Sequence, residues 1–197
     1  MKLVIISFLL LVGCAPINQY TYKTSLRSAT DKKMNFENDS LRISFHIEPK
    51  YLAFRLDNKL SESIQINWEE SKFMIDKEHH KVMRTEMGIF KPYERQAPVT
   101  ILPGSYVRDQ LIPVRNIKER MIENNTKIML IEDLLPQEDK GDKALAAKIA
   151  EMKGAVMEVF LPIYIRGKSV PKTFYIRVDD IKKTKIRNKP FFQRRIS

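Results

Sequence analysis

Few side chains in this sequence have chemistry to offer, and their spacing decides what kind. Cys14 is the only thiol, histidines stand at 46, 79 and 80, and adjacent carboxylates occur as Glu69-Glu70 and Asp179-Asp180. Neighbours on a strand point to opposite faces, so neither carboxylate pair is placed to act as acid and base on one bond. Both read as solvated turn charges. His79-His80 beside Asp76 and Glu78 offers nitrogen and oxygen ligands, but without the spacing of a zinc motif. An exposed turn is the expectation there, and a surface or packed residue is the expectation for His46, alone on its strand. The six glycines, at 13, 88, 104, 141, 154 and 167, assemble neither a phosphate-cradling loop nor a nucleophile elbow. We therefore expect no catalytic residues and no metal site, and read the chain as not an enzyme.

Charge is the stronger signal. The net charge is +11; Lys2 holds one unit and residues 181–197 hold seven with no acid, leaving +3 for residues 15–180. Lys182, Lys183, Lys185, Arg187, Lys189, Arg194 and Arg195 surround Phe191 and Phe192. Such a run suits anionic lipid headgroups with aromatic insertion, each cation contributing about 1 kcal/mol near the surface. The competing reading is a solubilising terminus. Nucleic acid would fit the same composition, but the start of the chain argues for export and so against it.

Met1-Lys2 followed by Leu3 to Val12, apolar except for Ser7, has the layout of a secretory signal. At about 1.5 Å per residue the run covers roughly half of a ~30 Å hydrocarbon core, too little to span it. It ends in Leu11-Val12-Gly13-Cys14, which resembles the lipobox of bacterial lipoproteins. The resemblance implies removal of residues 1–13 as a signal peptide. It also implies diacylglycerol on the Cys14 sulfur and an N-acyl lipid such as palmitate on its new amino terminus, with no other cofactor. One acyl chain binds membranes only marginally, so several on one residue make retention durable. An acylated Cys14 leaves no thiol for a disulfide, although export delivers the chain to an oxidising compartment. In such lipoproteins an aspartate after the cysteine favours the inner membrane. Here Ala15 follows, which implies the outer membrane, facing the periplasm.

These groups must be carried by a folded part. Residues 14–38 are polar without a sustained apolar period and read as the lipidated terminus and a linker. Tyr20, Tyr22 and Leu26 within it are able to pack on the domain. Period-two alternation then predicts strands at Leu41 to Ile47, at Leu52 to Leu56, and at Ile64, Ile66 and Trp68. Phe73, Ile75 and Val82 predict a hairpin with its tip near Lys77 to His79. Val99 and Ile101 and the stretch Tyr106 to Val114 flank a Pro103-Gly104-Ser105 turn. Lys127 to Leu135 fits either a strand or a helix start. One helix is expected near 137–153, with Leu145, Ile149 and Met152 on one face and Gly154 as its stop. Val156 to Arg166 and Thr173 to Val178 predict a final pair around Gly167-Lys168-Ser169.

Many short strands and one helical insertion predict a mainly β domain over 39–180, an immunoglobulin-like antiparallel sandwich with a barrel as the alternative, followed by a basic tail over 181–197. Trp68 is expected in its core. Phe54-Arg55-Leu56-Asp57-Asn58 through Ile64-Gln65-Ile66-Asn67-Trp68, Phe73-Met74-Ile75-Asp76 and Leu102-Pro103-Gly104-Ser105 resemble uncharacterised bacterial envelope lipoproteins with immunoglobulin-like domains. That resemblance spans about 50 residues and implies a fold and a location, not an activity. The expected function is a membrane-anchored, non-catalytic binding or assembly module for an envelope protein or polymer. The alternative is an enzyme on envelope material, which a deep polar cleft with convergent histidine and carboxylates would reveal.

Overall fold

The computed structural model describes residues 17–27, 34–75, 77–85 and 94–186. Cys14, Asp76, Arg187, Lys189, Phe191, Phe192, Arg194 and Arg195 lie outside the described residues. The elements are β1 (Ile17–Leu26), β2 (Asn35–Glu37), β3 (Leu41–Ile47), β4 (Leu52–Asn58), β5 (Ile64–Ile66), β6 (Lys72–Ile75), β7 (Glu78–Arg84) and β8 (Val99–Ile101). They continue with β9 (Tyr106–Pro113), β10 (Ile117–Ile122), β11 (Thr126–Ile131), α1 (Lys143–Glu151), β12 (Val156–Leu161), β13 (Ile163–Ile165), β14 (Lys168–Ser169) and β15 (Lys172–Ile186).

Alternation builds the centre as expected. Leu41, Ile43 and Phe45 of β3 and Leu52, Phe54 and Leu56 of β4 all turn inward. The turn between them closes through the Glu48 N–H donating to the Tyr51 carbonyl. Buried Asn58 at the end of β4 donates from its amide nitrogen to the carbonyls of Glu62, Ile101 and Leu102. It thereby pins the β4–β5 and β8–β9 connections together.

The strands form a nine-stranded sheet in the order β1-β15-β12-β6-β7-β9-β4-β3-β2, a four-stranded sheet β14-β13-β5-β8 and a separate β10-β11 hairpin. Every strand pairing is antiparallel. The large sheet doubles over, because Phe174 of β15 packs edge-on against Phe45 of β3 and Phe36 of β2, with ring centroids 5.1 and 5.6 Å apart. Strand β7 is the hand-over: Glu78 to Lys81 pair with β6, and Val82 to Arg84 pair with β9. The molecule is thus mainly β with antiparallel sheets and one described helix.

Four expectations change. The linker over 14–38 is in part sheet: Ile17–Leu26 is a ten-residue strand beside β15, and Asn35–Glu37 pairs with β3. The polar side chains of Ile17–Leu26 hid that strand, since its partners lie more than a hundred residues away. The tail over 181–197 likewise begins inside β15, which continues past Asp180 to Ile186, so the β region spans 17–186 rather than 39–180. The helix is shorter than 137–153: Asp142 caps it by accepting from the N–H groups of Ala144 and Leu145, and Gly154 at φ +86° follows its end. Trp68 lies in a 3-10 turn just after β5 rather than on the strand itself, and it is fully buried. The ambiguous 127–135 stretch is strand as far as Ile131, in β11, and pairs with a strand, Ile117–Ile122, that alternation does not reveal.

Candidate functional site, the Ile17–Ile186 end of the sheet

Three of the cations expected to do something, Lys182, Lys183 and Lys185, stand where the first and last described strands pair. Strand register pairs Ile17 with Ile186, Asn18 with Lys185, Tyr20 with Lys183 and Thr21 with Lys182. Lys182, Lys183 and Lys185 are exposed. Lys183 lies over the Tyr20 ring, its Nζ 5.9 Å from the centroid. The strand period puts Lys183 and Lys185 on one face and Lys182 on the other, so this edge is cationic on both sides.

Besides its pairing with β15, β1 is held from the loop before α1, chiefly by one carboxylate. Asp139, buried, accepts from the Asn18 N–H (3.3 Å), the Asn18 amide nitrogen (2.6 Å), the Tyr20 hydroxyl (2.9 Å) and the Gly141 N–H (2.9 Å). The Tyr20 N–H donates to the Gln137 carbonyl at 2.8 Å and the Tyr22 hydroxyl to the Pro136 carbonyl at 2.5 Å. These donors, the Gly141 N–H first and then the Asn18 side chain, hold the Asp139 carboxyl down at about 2. Burial, then the hydrogen bond to Asp139, pushes the Tyr20 hydroxyl up. Burial, with Tyr20 as the next cause, takes Tyr22 to about 12.

A carboxyl held low stabilises the fold above its ordinary value and loses that contribution as pH falls through the folded one. For Asp139 the window runs from about 3.8 down to about 2. Protection of the Tyr20 amide from hydrogen exchange is therefore expected to drop across that window. In Asp139→Asn the drop should vanish, with protection lowered throughout, while the β3–β4 amides are unaffected. An unchanged Tyr20 protection factor in the variant would remove Asp139 as the clasp.

The chain matches no protein-family model, no curated protein and no solved structure.

The other sequence candidates are kept apart by the fold. Glu69 accepts from Lys81 and from the Gln96 N–H, whereas Glu70 takes the Tyr164 hydroxyl. Asp179 faces Arg177, and Asp180 pairs with Lys153. His46 is exposed, 3.2 Å from Glu48; His80 contacts Arg115 at 3.2 Å, and its neighbour His79 is exposed. Among the described residues no group of three or more His, Cys, Asp or Glu is placed to hold a metal ion. A hollow of about 660 Å³ is lined by Glu132, Asp133, Glu138, Asp139 and Asp142. Asp139 is already taken up by β1, and the hollow contains no histidine. Sequence reasoning missed Asp139 and the β10–β11 hairpin; the one available signal was the Asp139-Lys140-Gly141-Asp142 run, which reads as a turn and helix cap.

Proposed function

We propose that this chain is a lipoprotein of the bacterial cell envelope, cut before Cys14 and acylated there, and that its β domain is a non-catalytic binding or assembly module for another protein or an envelope polymer. The outer membrane, on its periplasmic side, is the location we favour. The observation that carries the reading is the register of β1 on β15. Cys14 is three residues before Ile17, hence within about 11 Å of it by chain length alone, and Ile17 is paired with Ile186 at the cationic end of β15. Lipid and cations would then meet the membrane together. The acyl chains supply retention, and Lys182, Lys183 and Lys185, with the cations that follow them in sequence, supply an attraction to anionic headgroups that salt screens. The Asp139 clasp supports the same reading, since it holds the strand that would connect lipid to domain.

For the fold we propose the immunoglobulin-like form of sandwich. The facing of β15 against β2 and β3 and the buried Trp68 support it.

The test is Cys14→Ser in bacterial cells fed labelled fatty acid. The parent is expected to take up label and sediment with membranes, and the variant to do neither. Equal labelling of the two would overturn the lipoprotein reading.

A further inference from the structure

We infer that the outer face of β3, β4 and β9 carries a binding site for a sugar bearing an acidic group, a carboxylate or a phosphate, held between Arg55 and Arg108. This names a ligand chemistry for the binding module proposed above, on which it rests, and it needs nothing of the lipid.

The site is set by strand register. β3, β4 and β9 adjoin in the large sheet, and their pairing puts Ser44, Arg55 and Arg108 in one row across it and His46, Ala53 and Gln110 in the next. The strand period turns both rows away from the core. Ala53 is the smallest side chain of the six, and the sheet is hollowed there: a depression of about 340 Å³ is lined by all of them. Ligand pockets run from ~300 to ~1,000 Å³, so this one suits a single compact residue. Its walls stand on three paired strands in the body of the sheet rather than on loops, which keeps them in place.

Charge says what belongs in it. Like charges directly opposite each other across a strand pair destabilise it, yet Arg55 and Arg108 are such partners. Asp57 accepts from Nε and Nη2 of Arg55, at 2.9 and 2.5 Å, and leaves Nη1 for a ligand. Both guanidiniums gather at the exposed Tyr106 ring, their Cζ atoms 4.1 and 5.0 Å from its centroid. Among the described residues Arg108 has no acidic partner. The carboxylates nearby are taken: Glu37 by Arg42 and Lys59, and Glu48 by His46 at 3.2 Å. Asp109 also lines the hollow, but its carboxylate is buried on the inner face against Arg84. An anion between the two arginines removes their repulsion and gains charge-assisted hydrogen bonds from both. The Ser44 hydroxyl and the Gln110 amide on the rim add neutral donors and acceptors of the kind that sugar hydroxyls use. A bare ion has no use for them or for the space over Ala53.

The experiment follows backbone-amide and arginine Nε–H signals of the full-length protein by NMR while glucuronate, glucose 6-phosphate, inorganic phosphate or glucose is added at constant ionic strength. One or both sugar acids are expected to shift the signals of Ala53, Arg55 and Arg108 saturably and to bind more tightly than inorganic phosphate, with glucose silent. Arg108→Gln, an exposed change that leaves the core untouched, should weaken that binding about tenfold or more. Ala53→Leu keeps both charges but fills the hollow, and should remove the advantage of the sugar acids over inorganic phosphate. Equal binding of inorganic phosphate and the sugar acids would reduce the site to a bare anion contact and overturn the inference. So would an equal response to glucose, shifts confined to Lys182, Lys183 and Lys185, binding unchanged in Arg108→Gln, or no saturable shift at all. The fatty-acid labelling of Cys14 decides the anchor separately from every one of these outcomes.

Discussion

Trp68→Ala is expected to cost the domain about 3–5 kcal/mol, as for other large aromatic truncations in a core. Trp68 has no exposed surface. Its ring packs edge-on against Phe54, with centroids 5.4 Å apart, and the Arg84 guanidinium lies 5.0 Å above it. The turn that carries it is fixed from both ends: the Asn67 side chain accepts from the Glu69 N–H, and the Ser71 N–H donates back to the Trp68 carbonyl. The surrounding strands are thus not free to collapse into the space an alanine leaves. The indole Nε1 has no hydrogen-bond partner among the described residues, so Trp68→Phe loses volume but no polar contact and should cost far less than Trp68→Ala. Urea unfolding followed by circular dichroism measures both, because the variants lack the chain's only tryptophan. A loss under ~0.5 kcal/mol for Trp68→Ala would place this residue outside the core.

Asp109→Ala should be nearly as damaging, at about 3–5 kcal/mol, for an electrostatic reason. Arg84 of β7 donates from Nε to Asp109 of β9, and both side chains are buried. The same carboxylate accepts from the Thr85 hydroxyl at 3.4 Å and from the Gln110 N–H at 2.8 Å. Gln96 completes the arrangement by accepting from the Arg84 N–H and donating to the Val82 carbonyl. Removing the carboxylate keeps the guanidinium buried and takes away the charge opposite it. Replacing the pair together, Arg84→Met with Asp109→Leu, removes both desolvation costs and should recover most of the loss. If Asp109→Ala costs under ~1 kcal/mol, or if the double variant is the less stable one, then the pair is not what locks β7 to β9.

How far the sequence alone reaches follows from where each side chain's partner sits. Leu41, Ile43 and Phe45, and Leu52, Phe54 and Leu56, face one core from two adjacent strands, so period-two alternation is enough to place them. The helix was legible for the same local reason: Asp142 caps it, its interior is rich in alanine, and Gly154 follows it. Trp68 was legible as core because it continues the Ile64 and Ile66 pattern, even though it proves to sit in a turn.

Tertiary structure alone decided β1, β10 and the pairing of β1 with β15. Asn18, Tyr20 and Tyr22 read as linker because nothing near them in sequence satisfies their polar groups. Asp139, Gln137 and Pro136 do so from the far side of the chain, and a polar strand stabilised by remote acceptors has no periodic signature. Ile117 to Ile122 carries a Lys-Glu-Arg run and becomes a strand only because β11 pairs with it. The cations at Lys182, Lys183 and Lys185 were visible as composition. That they stand beside the residues following Cys14 was not, because register between the first and last strands of a sheet is fixed by pairing over some 170 residues of intervening chain, and no local pattern encodes a contact at that separation.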